Sequence, residues 1–499
     1  MLSTPSESIG SVVPLYGAGD GSGGGSSGPT TDIYEAAIVV GNALAGDTTS
    51  VCNYLDPGDG TGIAAALTAA AALAPLRVRV FLRRGTYTLN RTLIGGLLTV
   101  PAGCVLEGDD EYTTILVTYA GSAGVNMTTL VLAAGTTSAK TSMRRFGISV
   151  PANGAGVPAA DARGIIHYNA YTKVEDLNVT VAAGTATNTF SFLFQADYLT
   201  AYPHGVEIRR IRHNASAANA NSLTAIYTVR SNCVGVAPTA GAELPVFEDI
   251  EYVGTTALDG LVGQVLSLQI PSFDARRIRA AYAQIGVSAL AFLTYSGTVR
   301  GPFIEDVVND IRGYVGAAGV QAWVALVNHY AASTLTIEET VIENAVLLYD
   351  TVNFDPLSLS VLAAGDGVTY VDSTLRRVHA SGPVDGAPTW AVESASATGL
   401  IDGVAIIDCG GRATSLRLRG QAAGGGVTNA RVIGGVFYNM VLDGAGDTTN
   451  TVINANSIRN NLTISTATVV NTIVTSNRIG GAYSDAGTGT TIGTNIVGP

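Results

Sequence analysis

The chain has 499 residues, 47% of them hydrophobic and only 13% charged, with a mean hydropathy of +0.31, which excludes disorder over most of its length. A net charge of −12, a pI of about 4.9 and only two lysines, Lys140 and Lys173, exclude the basic face that a nucleic-acid binder needs. Sixty glycines among abundant Ala, Thr, Val and Asn suit many short strands joined by tight turns.

In chain order, residues 1–30 contain GAGDGSGGGSSGP, a composition that cannot support a packed core and reads as a flexible arm. The start MLSTPSESIGSVVP lacks a basic region and an apolar region, so no secretory signal is expected and assembly in a cytosol is. Residues 31–75 form a capping segment with helices predicted over 31–44 and 61–74, separated by the turn cluster NYLDPGDG. The run from Ile63 to Ala74 is apolar but shorter than the roughly 18 residues a membrane span requires, and Pro75 follows it; no membrane insertion is expected.

From residue 76 to 499 the pattern is β. RVRVFL (77–82) and RGTYTL (84–89) alternate, and 97–110 reads as strand, turn, strand. Beyond residue 140 one phrase recurs: an apolar residue, two polar ones, then alternating apolar positions, as in VEDLNVTV (174), VFEDIEYV (246) and STLRRVHA (373). Its inner apolar position falls at Phe146, Leu177, Ile211, Ile250, Ile278, Val307, Val341, Val378, Val404, Val436, Ile458 and Ile479. Steps of 21 to 39 residues between these positions describe a solenoid of a dozen or more coils, shorter after residue 428, in which each coil buries its apolar face against its neighbours. The period of two excludes helical repeats. A parallel β-helix accommodates variable coil lengths in its loops, and the Asn-rich runs NTVINANSIRNN and NTIVTSNRIG predict stacked side-chain amides at coil corners.

The block from 53 to 116 resembles the opening of the pectate-lyase-like right-handed parallel β-helix superfamily, of the bacteriophage tail-spike and virion-associated type. The matching residues are the turn Gly58-Asp59-Gly60, the helix after it, Val80-Phe81-Leu82, Gly85-Thr86-Tyr87, the run from Gly103 to Gly108, and Thr114-Ile115-Leu116. Thr61-Gly62-Ile63 stands where the family often has acidic residues and Thr. The resemblance implies an all-β solenoid with a short helical cap, in which Gly58, Asp59, Gly60, Gly85, Thr86 and Tyr87 are architectural. It also implies a homotrimer, attached to phage tail or capsid proteins through the N-terminal segment and located on the virion.

Candidate sites are weaker. Glycosidases and lyases require convergent carboxylates. Glu175-Asp176, Glu207, Glu248-Asp249, Glu305-Asp306 and Glu338-Glu339 recur at coil spacing, but at equivalent strand positions, which reads as a solvated or subunit-facing stripe. Asp274, Arg276, Arg277 and Arg279 read as a mixed-charge surface strand. Asp197, Tyr198, Tyr202 and His204 combine aromatic faces with polar groups, the mixture found at carbohydrate sites. The five histidines show no metal spacing, and Cys52, Cys104, Cys233 and Cys409 lie far apart, which reads as buried free thiols with no metal or cofactor. The sequence therefore favours a virion structural protein that binds host surface polysaccharide; the alternative is a polysaccharide depolymerase, a hydrolase or lyase, on the same solenoid, with no catalytic residue assignable.

Overall fold

A computed structural model describes residues 34–498 apart from 90–92, 95–96, 118–129, 151–165, 182–191, 197–201, 216–223, 229–236, 255–263, 294–295, 315–321, 332–333, 351–358, 383–388, 413, 421–422 and 467. The chain is a right-handed parallel β-helix. Among the described residues one sheet of 19 strands runs the length of the solenoid, a second of 14 strands extends from Leu98–Val100 to Tyr483–Asp485, and sheets of 7 and 4 strands close the later coils. Strands of successive coils pair in parallel, as Lys173 with Glu207 and Glu207 with Val246. Among the described residues no helix is long and apolar enough to cross a membrane.

The recurring phrase forms the long sheet, but not as a uniformly alternating strand. In eight successive coils the second of the two polar residues has a left-handed backbone, with φ of 61° at Arg145, 55° at Asp176, 53° at Arg210, 55° at Asp249, 54° at Arg277, 56° at Asp306, 52° at Asn344 and 50° at Arg377. This single αL residue bends the strand, so that residues three apart both point inward: Val174 with Leu177, Phe247 with Ile250, Ile304 with Val307, all essentially inaccessible. Left-handed backbone costs an L-residue about 1–2 kcal/mol, and burial of the apolar side chains on either side of each bend, one of them Ala275 at Arg277 and Ala345 at Asn344, offsets it.

The register corrects part of the sequence alignment. Phe146, Leu177, Ile211, Ile250, Ile278 and Val307 do stack in one column, which continues through Ala345 to Val378. Val341 lies four residues earlier and points outward, Val404 precedes its strand, and Val436 is 39% exposed. Ile458 and Ile479 stack under Phe437 instead. A β-branched residue at the right distance is not distinguishable from the inward one when a bend intervenes.

At the N-terminal end the predicted helix over 61–74 is present as α1, Thr61–Ala72, burying Gly62, Ile63, Ala66, Leu67 and Ala70 against the first coils. The helix predicted over 31–44 is instead a strand, Ala36–Asn42, followed by one 3-10 turn, Ala43–Ala45. Ala36, Ile38 and Val40 bury alternately while the strand pairs with Val78–Leu82, and the β-branched Ile-Val-Val run satisfies that edge better than a helix would. Asp56 organises the turn before α1: its carboxylate accepts from the N–H groups of Gly58, Asp59, Gly60, Gly62 and Ile63 at 2.7–3.2 Å. Asp59 accepts from the Thr61 N–H and hydroxyl. Gly85, at φ 136°, leaves no room for a side chain because Asn42 lies 2.8 Å from where a Cβ would sit. Thr86 accepts through its carbonyl from the Asn42 amide, and the buried Tyr87 hydroxyl donates to the Arg83 carbonyl at 2.9 Å.

At the C-terminal end the expected amide stack is present. Asn456 donates from its backbone N–H and its side-chain amide to Asn477 Oδ1, and Asn477 does the same to Asn495, at 2.9–3.1 Å. Asn477 also donates to the carbonyls of Ile453 and Thr475. Asn477→Ala is expected to cost about 2–4 kcal/mol, because the buried Asn456 N–H then has no acceptor; a lowered thermal midpoint, with hydrogen exchange accelerated over 452–498, checks it.

Candidate binding groove on the long sheet

The bends place charge in two adjacent columns along the outside of the long sheet. In register behind Glu107, the residue before each bend runs Arg144, Glu175, Arg209, Glu248, Arg276, Glu305, Glu343, Arg376. The bend residue itself runs from Arg145 to Arg377 as given above. Sign alternates from coil to coil as far as Glu305-Asp306, so most of these guanidiniums meet carboxylates of a neighbouring coil, while Arg276 meets Asp274 of its own strand. Arg210 bonds Asp176 at 2.5 Å and Glu175 at 2.6 Å; Arg277 bonds Asp249 and Glu248, both at 2.5 Å; Arg144 and Arg145 bond Glu107. Both Asp249 and its partner are affected: hydrogen bonding to Arg277 holds the Asp249 carboxyl below its usual range, and Arg277 is held firmly protonated by the same contact.

Beside these columns lies an open groove of about 490 Å³. Its walls carry Asp176, Arg210, Asp249 and Arg277 from the bends, with Asp110 at one end. Two residues beyond each bend, a third outward column supplies Asn178, Arg212, Glu251 and Arg279, with Ile250 between. Arg212 and Glu251 are 76% and 57% exposed and 3.5 Å apart, so both retain hydrogen-bonding capacity; Arg279 spends one donor on the Asp306 carbonyl at 2.6 Å. A smaller depression of about 270 Å³ continues past Thr180, Asn214 and Val253. Paired donors and acceptors on a rigid open surface suit a hydroxyl-rich ligand rather than an apolar one.

Of the residues singled out from sequence, Asp176, Asp249, Arg277 and Arg279 line this groove, whereas Tyr202 and His204 do not. Asp197 and Tyr198 fall outside the described residues. Tyr202 is 3% exposed and its hydroxyl donates to the Ser272 carbonyl; His204 is 9% exposed, and its Nε2 accepts from the Thr239 N–H at 3.1 Å. Burial lowers the His204 pKa. Their rings pack 4.9 Å apart, and His204 Nδ1 is buried without a hydrogen-bond partner among the described residues. Of the acidic stripe, Glu175 is buried within an ion pair, Asp176 and Asp249 are over a third exposed, and Glu338 and Glu339 are exposed. Glu207 belongs to a different column, bound by Lys140 at 2.7 Å, and Glu338-Glu339 precede the long-sheet strand in which Glu343 holds the equivalent place. Cys104 and Cys409 are buried free thiols and Cys52 is partly exposed; Cys233 lies outside the described residues. Among the described residues no group of three or more His, Cys, Asp or Glu is placed to hold a metal.

No protein-family model matches the sequence, and no curated protein matches it. Among solved structures, the chain is similar to the A-module of the mannuronan C-5 epimerase AlgE6 of Azotobacter vinelandii (12% identity, TM-score 0.26, covering 89% of this chain and 97% of that one). It is likewise similar to the surface protein and adhesin PfbA of Streptococcus pneumoniae (11%, TM-score 0.30, 89% and 97%). ORF18 of Geobacillus virus E2 shares 12% identity at a TM-score of 0.18, with 92% of this chain covering 60% of that one.

Proposed function

We propose that this pectate-lyase-like, right-handed parallel β-helix is a structural and adhesive protein of a bacteriophage virion. In this reading it is a homotrimeric tail spike, head fibre or capsid decoration protein, assembled in the host cytoplasm. Its N-terminal segment attaches it to tail or capsid, and the groove on the long sheet binds host surface glycan. The phage assignment rests on the capping block at 53–116. The observation that favours binding over cleavage is the state of the carboxyl groups. Glycoside hydrolysis needs one carboxyl kept protonated near neutrality, with its pKa raised. Among the described residues the carboxyl groups with altered affinity, Glu207, Asp249 and Asp310, are all lowered. For Glu207, burial pushes upward but the Lys140 hydrogen bond and charge outweigh it; for Asp249 and Asp310, hydrogen bonds from Arg277 and Arg312 dominate. Carboxylates lowered in this way are held ionised, which suits positioning charge rather than acting as the protonated acid. Deleting residues 1–30 is expected to leave a trimer in light scattering while abolishing attachment to particles; a monomeric full chain, or unchanged occupancy without the arm, would contradict the reading.

A further inference from the structure

The alternation of charge along the long sheet contains one phase slip. Successive coils carry acidic then basic residues at the two bend positions as far as Glu305-Asp306, but the next coil carries Glu343-Asn344, directly in register. Both arginines of the following coil, Arg376 and Arg377, already pair with Glu343. On the other side, the coil Asp274–Ala281 holds Glu305's strand through Arg279, which donates to the Asp306 carbonyl, and Arg276, stacked 4.8 Å over the Phe303 ring. Among the described residues no ion pair joins Phe303–Asp310 to Val341–Leu348; only the backbone ladder and a Gly313 N–H bond to Asp350 cross that boundary on this side of the solenoid. Parallel neighbours lie about 4.8 Å apart, and like charges directly opposite in a sheet are destabilising.

We propose that the bend columns are an electrostatic register code specifying which coil stacks on which, and that the slip between Glu305 and Glu343 is a built-in seam where the solenoid opens first. Because the defect is one of parity, reversing a single coil does not remove it but moves it. Arginine is compatible with the bend, since Arg145, Arg210, Arg277 and Arg377 all adopt it. In the variant Glu305→Arg/Asp306→Arg, the coil 303–310 matches Glu343 but opposes Arg276 and Arg277, so the seam shifts by one coil.

Hydrogen exchange with mass spectrometry on the full chain tests this. In the natural sequence, amides bonded across the 303–310/341–348 boundary are expected to exchange about fivefold faster than those across the 246–253/274–281 boundary. The difference should shrink as added salt screens the partly exposed charges. The double arginine variant should move the fast band to the 274–281/303–310 boundary, and Glu305→Gln, which keeps shape and removes one like charge, should slow exchange at the original seam. Uniform protection, a fast band insensitive to salt, or one that stays in place in the double variant would overturn the proposal; Glu305→Gln keeps the test decisive should the double variant fail to fold.

Discussion

Asp56→Ala is expected to release α1 from the end of the solenoid and to cost about 3–5 kcal/mol, the largest effect of any single substitution in the cap. One fully buried carboxylate satisfies five backbone N–H groups, two of them in the first turn of α1 and three in the turn leading to it. Gly60, the residue preceding α1, has no side chain with which to cap it, so no other group replaces the lost acceptors. The negative charge also lies at the positive end of the helix dipole. Asp56→Asn retains one oxygen but turns an amide donor towards N–H groups, and should fall between the two. Because coils contact only their neighbours, hydrogen exchange should accelerate over 36–89 and remain unchanged over 400–498. Protection of Thr61–Ala72 left intact in the alanine variant would show that apolar packing alone holds the cap.

Acidification is expected to destabilise the solenoid before its carboxylates titrate. His213 is buried against Tyr252, ring centroids 5.2 Å apart, with neither ring nitrogen hydrogen-bonded; His329 is buried with Nδ1 2.6 Å from the Tyr370 hydroxyl. Burial holds the pKa of each down to about 4, against an ordinary value of about 6.5 in the unfolded chain. A base whose folded pKa is depressed leaves the unfolded state binding more protons, so stability is full above pH of about 6.5 and falls as pH drops towards 4. The loss approaches roughly 3 kcal/mol for each histidine at the low end of that window. Below it, the lowered carboxyls Glu207, Asp249 and Asp310 begin to lose their ion pairs and add to the fall. His213→Phe keeps the stacking and removes the proton site, so its unfolding midpoint should depend less steeply on pH between 4.5 and 6.5. An unchanged slope would place the sensitivity elsewhere.

Much of the fold was legible because burial enforces it. The repeat of inward residues, the cap helix over 61–72 and the amide stack at Asn456, Asn477 and Asn495 all follow from apolar periodicity or from Asn placed where backbone groups need partners. The bend was written in the same phrase, as two consecutive polar residues interrupting a period of two, but a left-handed Arg or Asp has no signature of its own and an alternating strand absorbs the pair. That substitution of bend for alternation also displaced Val341, Val404 and Val436 from the inner column. The groove was not legible: Arg212, Glu251 and Arg279 become neighbours only through the register of coils separated by 28 to 39 residues. The burial of Tyr202 and His204 was not legible, because a loop-like composition gives no sign that the two rings pack against each other. Asp56 escaped notice because its five partners are backbone groups.

The central claim, a solenoid that binds surface glycan without cleaving it, is tested most directly by incubating the full chain with surface polysaccharide from candidate hosts. Binding would be measured together with new reducing ends and the ultraviolet absorbance of unsaturated uronates. The account predicts saturable binding to at least one polysaccharide, weakened about tenfold or more by Arg212→Ala combined with Arg279→Ala, with neither cleavage signal. New reducing ends or rising absorbance, lost on substituting a carboxylate between coils by its amide, would contradict it and make the protein a depolymerase.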